Sequence, residues 1–491
     1  MIAALKPYPA YRDSGVTWLG DVPEHWDVRQ LGRFGALSKG NGGTKEDELP
    51  DGVPCVRYGD IYMKHQFFVE KSRACVSPEA ARDYTPILYG DVLFAGSGET
   101  IDEIGKSVVN LMQSEAYCGG DIIIFRPSIK VDARYMGYAS DCRQAVVQKS
   151  RMGRGITVMH LYGDQLKYLW VALPPVPEQA AIARFLDHTG WRIGQCIRAK
   201  KNLVNLLEEY KQVFINHSVT GRIDARTGHP YASYKPSGVE WLDEVPEHWD
   251  VMRSRRLFAV RGELARPGDQ QLSSTQAYGV IPQSDFEQKI GRRVVKLSMH
   301  FEKRKHVEQD DFVISMRSFQ GGLERAWASG AIRSSYVVLK PSPAVDVGFF
   351  SYLLKSRGYI GALRATAGFI RDGQDLTYDD FCCVDLPLVP VGEQREIADA
   401  IAEVVSRVDA TIATDRNEIE LLTELRSRLV ADVLGGKIDV REAAAGLPGD
   451  ACDSEFVDDE DECVEEAEVD DIDQIETHLE EIEAAAEEVE A

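Results

Sequence analysis

SGVTWLGDVPEHWDV, residues 14–28, returns as SGVEWLDEVPEHWDV at residues 237–251. Twelve of the fifteen positions agree, both tryptophans and the Pro-Glu-His-Trp core among them. Identity of that density is not accidental, so the chain carries an internal duplication, and the duplication decides its architecture. A second pair lies downstream: LPPVPEQAAIARFL at 173–186 matches LPLVPVGEQREIADAI at 386–401, with Val391 and Gly392 as extra residues. From Glu178 to Asp224 and from Glu393 to Asp439 the copies run without a gap and close on TGRID and GGKID. Each repeat is an arm, a variable region, a long helix and a short exit.

The variable regions read as mixed α/β, because short apolar runs such as DVLF (91–94), IIIF (122–125), DFVI (311–314) and YVVL (336–339) are punctuated by Gly and Pro. Faint correspondence survives inside them: Gly153 and Leu161 fall opposite Gly368 and Leu376 at the helices' own offset. Proline upstream (Pro177, Pro390), Glu-Gln in the first turn, and Gly221 and Gly435-Gly436 at the far end predict helices over Glu178–Val219 and Glu393–Leu434. In 4-3 spacing the first presents Ile182, Leu186, Ile193, Leu203, Leu207 and Phe214, and the second Ile397, Ile401, Val404, Val408, Leu422, Leu425 and Leu429. Such narrow rows predict a heptad seam, with the two helices paired as an antiparallel coiled coil. The fold class expected is therefore α+β. Its parts are an arm (1–28), a first domain (29–177), helix and exit (178–224), a second arm (225–251), a second domain (252–390), helix and exit (391–441) and an acidic tail (442–491). Because the second arm follows the first helix, the duplication places the first arm beside the end of the second helix, near Gly436–Arg441.

The 491 residues are 44% hydrophobic and 27% charged, a globular composition with room for two or three cores. The net charge of -23 is uneven: residues 450–491 hold 21 Asp and Glu and no Lys or Arg, which leaves 58 acids against 56 bases elsewhere. The tail is expected to be disordered, and any basic face on the body must be local. No apolar run approaches the roughly 20 residues of a membrane helix. MIAALKPYPAYRDSG lacks the apolar core and cleavage site of a signal peptide, and nine cysteines without a CxxC pair argue against a disulfide framework or structural zinc. The expectation is a cytoplasmic protein with reduced thiols.

A search for catalytic constellations returns little. Gly105-Lys106-Ser107 resembles only the end of a phosphate loop, since position 100 is Thr where a glycine is needed and Asp102-Glu103 would repel phosphate. Pro174-Pro175 has no preceding Asn or Asp of the kind a nucleobase methyltransferase uses. His25 and His248, beside Pro and Trp in the repeated turn, read as packing residues. No catalytic residue and no metal site is assigned.

Basic residues are more informative. Lys289, Arg292, Arg293, Lys296, Lys303, Arg304 and Lys305 fall within 17 positions that contain one acid, Glu302; Arg143, Lys149, Arg151 and Arg154 occur with no acid between Asp141 and Asp164. Clusters of this kind neutralise phosphates, while a few Arg or Gln read base edges. One cluster in each domain points to double-stranded DNA. Base readout is expected around Lys149–Ile156 and Arg317–Gly322, through Arg151, Arg154, Arg317 and Gln320, with Gly368 and Arg371 as a further candidate.

The order GVxWLxxVPEHW, variable region, PPxPEQxxI helix, then the same again, resembles the specificity subunits of type I restriction-modification systems over residues 1–441, and GDVLFAGSGETIDEIGK (90–106) and DFVISMRSFQGGLE (311–324) are similar to segments of their target-recognition domains. The resemblance implies that each domain reads half of a bipartite DNA site and that the helix pair sets the unread spacer. It implies two modification subunits that methylate adenine from S-adenosylmethionine, and motor-nuclease subunits that use ATP and Mg, with no cofactor and no catalysis in this chain itself. Gly190 and Gly194 within the first helix and the long acidic tail depart from the family pattern. Two alternatives stay open: a coiled-coil scaffold without its own DNA readout, and a fused DNA-modifying enzyme.

Overall fold

The computed structural model describes residues 5–43, 47–98, 100, 104–154, 159–294, 303–315, 318–366 and 376–447. They form two compact units: residues up to 201 together with the described residues from 417, and residues 202–416. Gly368, Arg371, Arg317, Lys296 and residues 448–491 of the acidic tail lie outside the described residues, whereas the tail's first residues are ordered, with helix Arg441–Ala445 and buried Ala444 and Leu447.

In the first unit a five-stranded sheet runs in the order Gly35–Lys39, Ile122–Pro127, Val92–Ala95, Ser107–Asn110, Phe67–Val69, antiparallel except for its last pair. Val92, Phe94, Ile123 and Phe125 face one cluster, which includes helix Ala133–Asp141; Leu93, Ala95, Ile122 and Ile124 face another, shared with a second five-stranded sheet. Both faces of the central strands are covered, which is why DVLF and IIIF are unbroken apolar runs rather than alternating ones. The second unit repeats the plan with four antiparallel strands, ordered Phe258–Val260, Val337–Pro341, Phe312–Ile314, Glu324–Arg325. Phe312 and Ile314 pack toward helices Val347–Leu353 and Arg357–Thr366, and Val313 packs the other way. In each unit a strand from the arm pairs with the strand leading into the long helix: Asp27–Gln30 with Trp170–Leu173, and Asp250–Arg253 with Asp385–Leu388.

The long helices span Val176–Val219 and Val391–Leu434, 44 residues each. Both stop at a left-handed glycine: Gly221 (φ +78°) and Gly436 (φ +70°) leave the Arg222 and Lys437 amides bonded back to the His217 and Asp432 carbonyls. A side chain at either glycine would also strike the neighbouring arm, at Pro246 in one unit and Pro23 in the other. The helices pair antiparallel within each unit. In the first, Ile182 and Leu186 share a cluster with Val430, Val433 and Leu434, and Lys200 pairs with Glu418. In the second, Val204 and Leu207 meet Val404, Val408 and Ile412, with ion pairs Lys211–Asp409 (2.6 Å) and Arg416–Glu208 (2.8 Å).

The seam departs from the expected heptad. Leu203 is 42% exposed and Leu425 40%, whereas Ile197, Val204 and Ile412 are buried. The buried row steps by 11 residues, 182–193–204 and 186–197 in the first helix, 397–408 and 401–412 in the second. A heptad read at 3.5 residues per turn drifts about 20° per repeat from a straight helix of 3.6, so the expected row walks off the contact face by mid-helix.

Candidate DNA-contacting surfaces

The arms are clamped by a constellation built twice. In the first unit Glu178, buried at the start of its helix, accepts the Tyr8 hydroxyl (2.8 Å) and the Trp26 indole N–H (2.9 Å), and pairs with His25 Nε2 (2.8 Å). In the second, Glu393 accepts Tyr231 (3.0 Å) and Trp249 (3.4 Å) and pairs with His248 (2.8 Å). Burial and the adjacent carboxylates push both phenols, Tyr8 and Tyr231, well above their ordinary value, so each stays a donor. The next residue ties down the recognition domain: Gln179 Oε1 accepts the Asp132 amide (2.9 Å) and Gln394 Oε1 the Asp346 amide (2.6 Å). Asp132 and Asp346 cap the N-termini of helices Ala133–Asp141 and Val347–Leu353. The repeated Glu-Gln thus fastens arm and domain to one helix start, a role the sequence reading of the motif as a helix-start signal did not reach. The repeated tyrosines, Tyr8 and Tyr231, each six residues upstream of its arm motif, were the available signal.

The first arm also lies where the duplication put it. The Asp439 amide donates to the Lys6 carbonyl (2.8 Å) in a backbone bridge, the Tyr11 hydroxyl donates to the Gly436 carbonyl (3.1 Å), and Arg441 stands 5.1 Å over the Tyr8 ring. The equivalent Tyr234 donates to Arg222 (3.0 Å).

Of the basic residues expected at DNA, Arg151 and Arg154 are exposed in the first unit. The Arg151 guanidinium lies 5.3 Å from the Trp18 ring, and Arg154 exchanges backbone hydrogen bonds with His160. Lys149 is corrected: it is fully buried, its ammonium bonded to Asp141 (2.6 Å), so it presents nothing to solvent. In the second unit Lys289, Arg292, Arg293, Lys303 and Gln320 are exposed, with Lys289 4.7 Å over Tyr278. Arg304 is buried and is no surface cation; Lys305 is half-buried, its ammonium donating to the Tyr336 carbonyl (2.5 Å), and burial lowers its pKa. Spacing alone does not distinguish a strand cation turned inward from one turned outward.

A feature without a sequence signal is a cleft of about 570 Å³ in the first unit, bordered by Lys39, Ser97, His160, Tyr162 and Lys167. His160 Nδ1 lies 3.1 Å from Ser97 Oγ, and its ring stacks on the exposed Tyr162 at 6.3 Å. Asp121 and Asp164 also line it, so its two lysines are matched by two carboxylates and the open aromatic is its distinctive feature. No group of His, Cys, Asp or Glu among the described residues could hold a metal ion, and none of the described helices is long and apolar enough to cross a membrane.

Two mixed α/β domains in tandem, each clamped to the start of one of two paired long helices, define a class of repeat-built recognition protein. No protein-family model matches the chain. A protein of Methanocaldococcus jannaschii that carries the name type I restriction enzyme MjaX specificity subunit is 23% identical over 439 residues, 87% of this chain and 96% of its own. The EcoKI specificity subunit of Escherichia coli K12 is 18% identical, covering 85% and 90%. In fold, the HsdS subunit of Thermoanaerobacter tengcongensis matches with a TM-score of 0.50 at 16% identity, over 85% of this chain and 98% of that one. A chain from a structure of type I R-M complex assembly matches with a TM-score of 0.61 at 16% identity, over 84% and 98%. Over most of its length the chain is similar in sequence to specificity subunits of type I restriction enzymes, and it shares the fold of these solved structures.

Proposed function

We propose that this chain is a non-catalytic, DNA-reading subunit, each recognition domain contacting one half of a bipartite duplex site while the helix pair sets the spacer. Two modification subunits, methylating adenine from S-adenosylmethionine, and motor-nuclease subunits using ATP and Mg are its partners. The observation that carries this reading is the doubled clamp. Helix length can be converted into a distance between base contacts only if each domain is fixed to its helix; at each helix start the Tyr-His-Trp-Glu knot fixes the arm and the next glutamine fixes the domain. Leu203, Leu206, Tyr210 and Val213 are exposed on the first helix, and Leu421 and Leu425 on the second. Leu206 and Tyr210 are the duplication's counterparts of Leu421 and Leu425, so like apolar surface recurs once per repeat, as two like partners require.

The test inserts four residues after Lys200 and four after Asp415, which adds about 6 Å at 1.5 Å per residue, close to two base pairs. In cells supplying the partner subunits, the modified adenines should lie in unchanged half-sites with a spacer about two base pairs longer. Unchanged spacing, or changed half-sites, sinks the ruler. A purified chain whose duplex binding is absent at low salt would support the scaffold alternative instead.

A further inference from the structure

Lys149 is an odd residue to bury. A fully enclosed ammonium loses its hydration, and an apolar side chain of the same length would fill the space at less cost, so its retention asks for a task that only a multivalent donor performs. Its ammonium, 5.8 Å from the Phe94 ring, donates to three acceptors on two other segments: the Gly105 carbonyl at 2.7 Å, and at the end of helix Ala133–Asp141 the Ser140 carbonyl at 3.0 Å and Asp141 Oδ1 at 2.6 Å. Asp141 in turn accepts the Ser107 amide at 3.2 Å. Gly105 is left-handed (φ +72°), and a Cβ there would come 2.6 Å from Leu161, so two chain segments meet at this point. They are joined again by the Ser97–His160 and Gly98–Met159 strand pairs and by Ile104, which packs against Gly153. Arg151, Arg154 and His160 stand on this joined stem.

We propose that Lys149 is the positioning residue of the first recognition domain: its ammonium locks the stem that aims Arg151, Arg154 and His160, and so sets which bases are read without touching DNA. This rests on the reading of the domain as a DNA-contacting one. The duplication supplies an internal parallel. Arg364 lies at the same offset from Lys149 as the two helices from each other, and its guanidinium donates to the Gln320 carbonyl at 3.4 Å, again a cation from the second domain helix fastening the segment that follows a sheet strand.

The experiment uses the full chain with partner subunits and compares Lys149→Met, the double variant Lys149→Met/Asp141→Asn, and Arg364→Met. The double variant removes both charges together, so no buried carboxylate is left unpaired if the single one fails to fold. Methylated adenines are mapped, and salt dependence of duplex binding and Tm are measured. Expected is a loss of about tenfold in discrimination at one half-site, the amount one well-placed base contact supplies, with the other half-site and the salt slope unchanged. Arg364→Met should relax the opposite half-site. A folded double variant with wild-type discrimination at both half-sites, or with equal loss at both, overturns the proposal. Absence of discrimination in the wild-type chain would instead overturn the DNA-contacting reading, and this inference with it.

Discussion

At the scale of single residues, the most consequential groups are acids that the sequence presents as ordinary helix-start or strand positions. Glu178 takes three donors from the arm, two of them on the buried Tyr8 and Trp26. Glu178→Ala strands those donors and should destabilise the first unit by about 3 kcal/mol, while Glu393→Ala, whose Trp249 bond is longer (3.4 Å), should cost about 1–2 kcal/mol. Hydrogen exchange assigns the effect: protection should fall in residues 8–28 for the first and in 231–251 for the second, and a uniform loss would refute the local clamp. Glu324 offers a pH test. Burial pushes its carboxyl up to about 7 although Lys355 lies 2.6 Å away. An acid whose folded pKa exceeds its unfolded value binds its proton more tightly when folded, so stability is highest below about pH 4.5 and is lost as pH rises toward 7. Glu324→Gln should flatten that slope, worth up to roughly 3 kcal/mol, and the denaturation midpoint against pH reads it directly. Such environments are barely legible in sequence. Lys149 and Arg304 sat among cations and looked like phosphate contacts, but the fold turns them inward.

At the scale of elements, the long helices and the mixed sheets were readable, because proline and Glu-Gln at one end and glycine at the other bound a periodic segment, and unbroken apolar runs mark strands covered on both faces. Their seam was not readable, because rows of 3.5 and 3.67 residues per turn pick the same positions over the first turns and part progressively along the helix. The distinction is testable. Ile197→Ala, Val204→Ala and Ile412→Ala should each cost about 1.5–3 kcal/mol, whereas Leu203→Ala and Leu425→Ala, on the heptad row, should stay below about 1 kcal/mol. Urea midpoints in the reverse order would restore the heptad. Readout residues are harder still: they depend on which way a loop side chain faces, and periodicity carries no such information.

At the scale of the whole molecule, the duplication was fully legible, and it also placed the first arm at the end of the second helix, where the Lys6 and Asp439 backbones form a bridge. The acidic tail enters as a charge argument. Its 21 acids can compete with DNA for basic faces at high effective concentration, and that competition weakens as the Debye length contracts from about 10 Å at 0.1 M salt. Truncation after Leu447 should tighten non-specific duplex binding at low salt more than at high salt, and equal affinities at low salt would dismiss the competition. One feature of the architecture reaches back to biosynthesis. The first unit's core gathers Tyr8 and Trp26 together with Val433, Leu434, Val440 and Leu447, while the second unit is drawn from the uninterrupted span 202–416. A ribosome therefore delivers everything the later unit needs before it delivers the last piece of the earlier one. Between Lys201 and Leu447 the nascent first domain waits for some tens of seconds at about 5–20 residues per second, holding apolar surface that only the final helix covers. Of the two units, the one begun earlier is completed later.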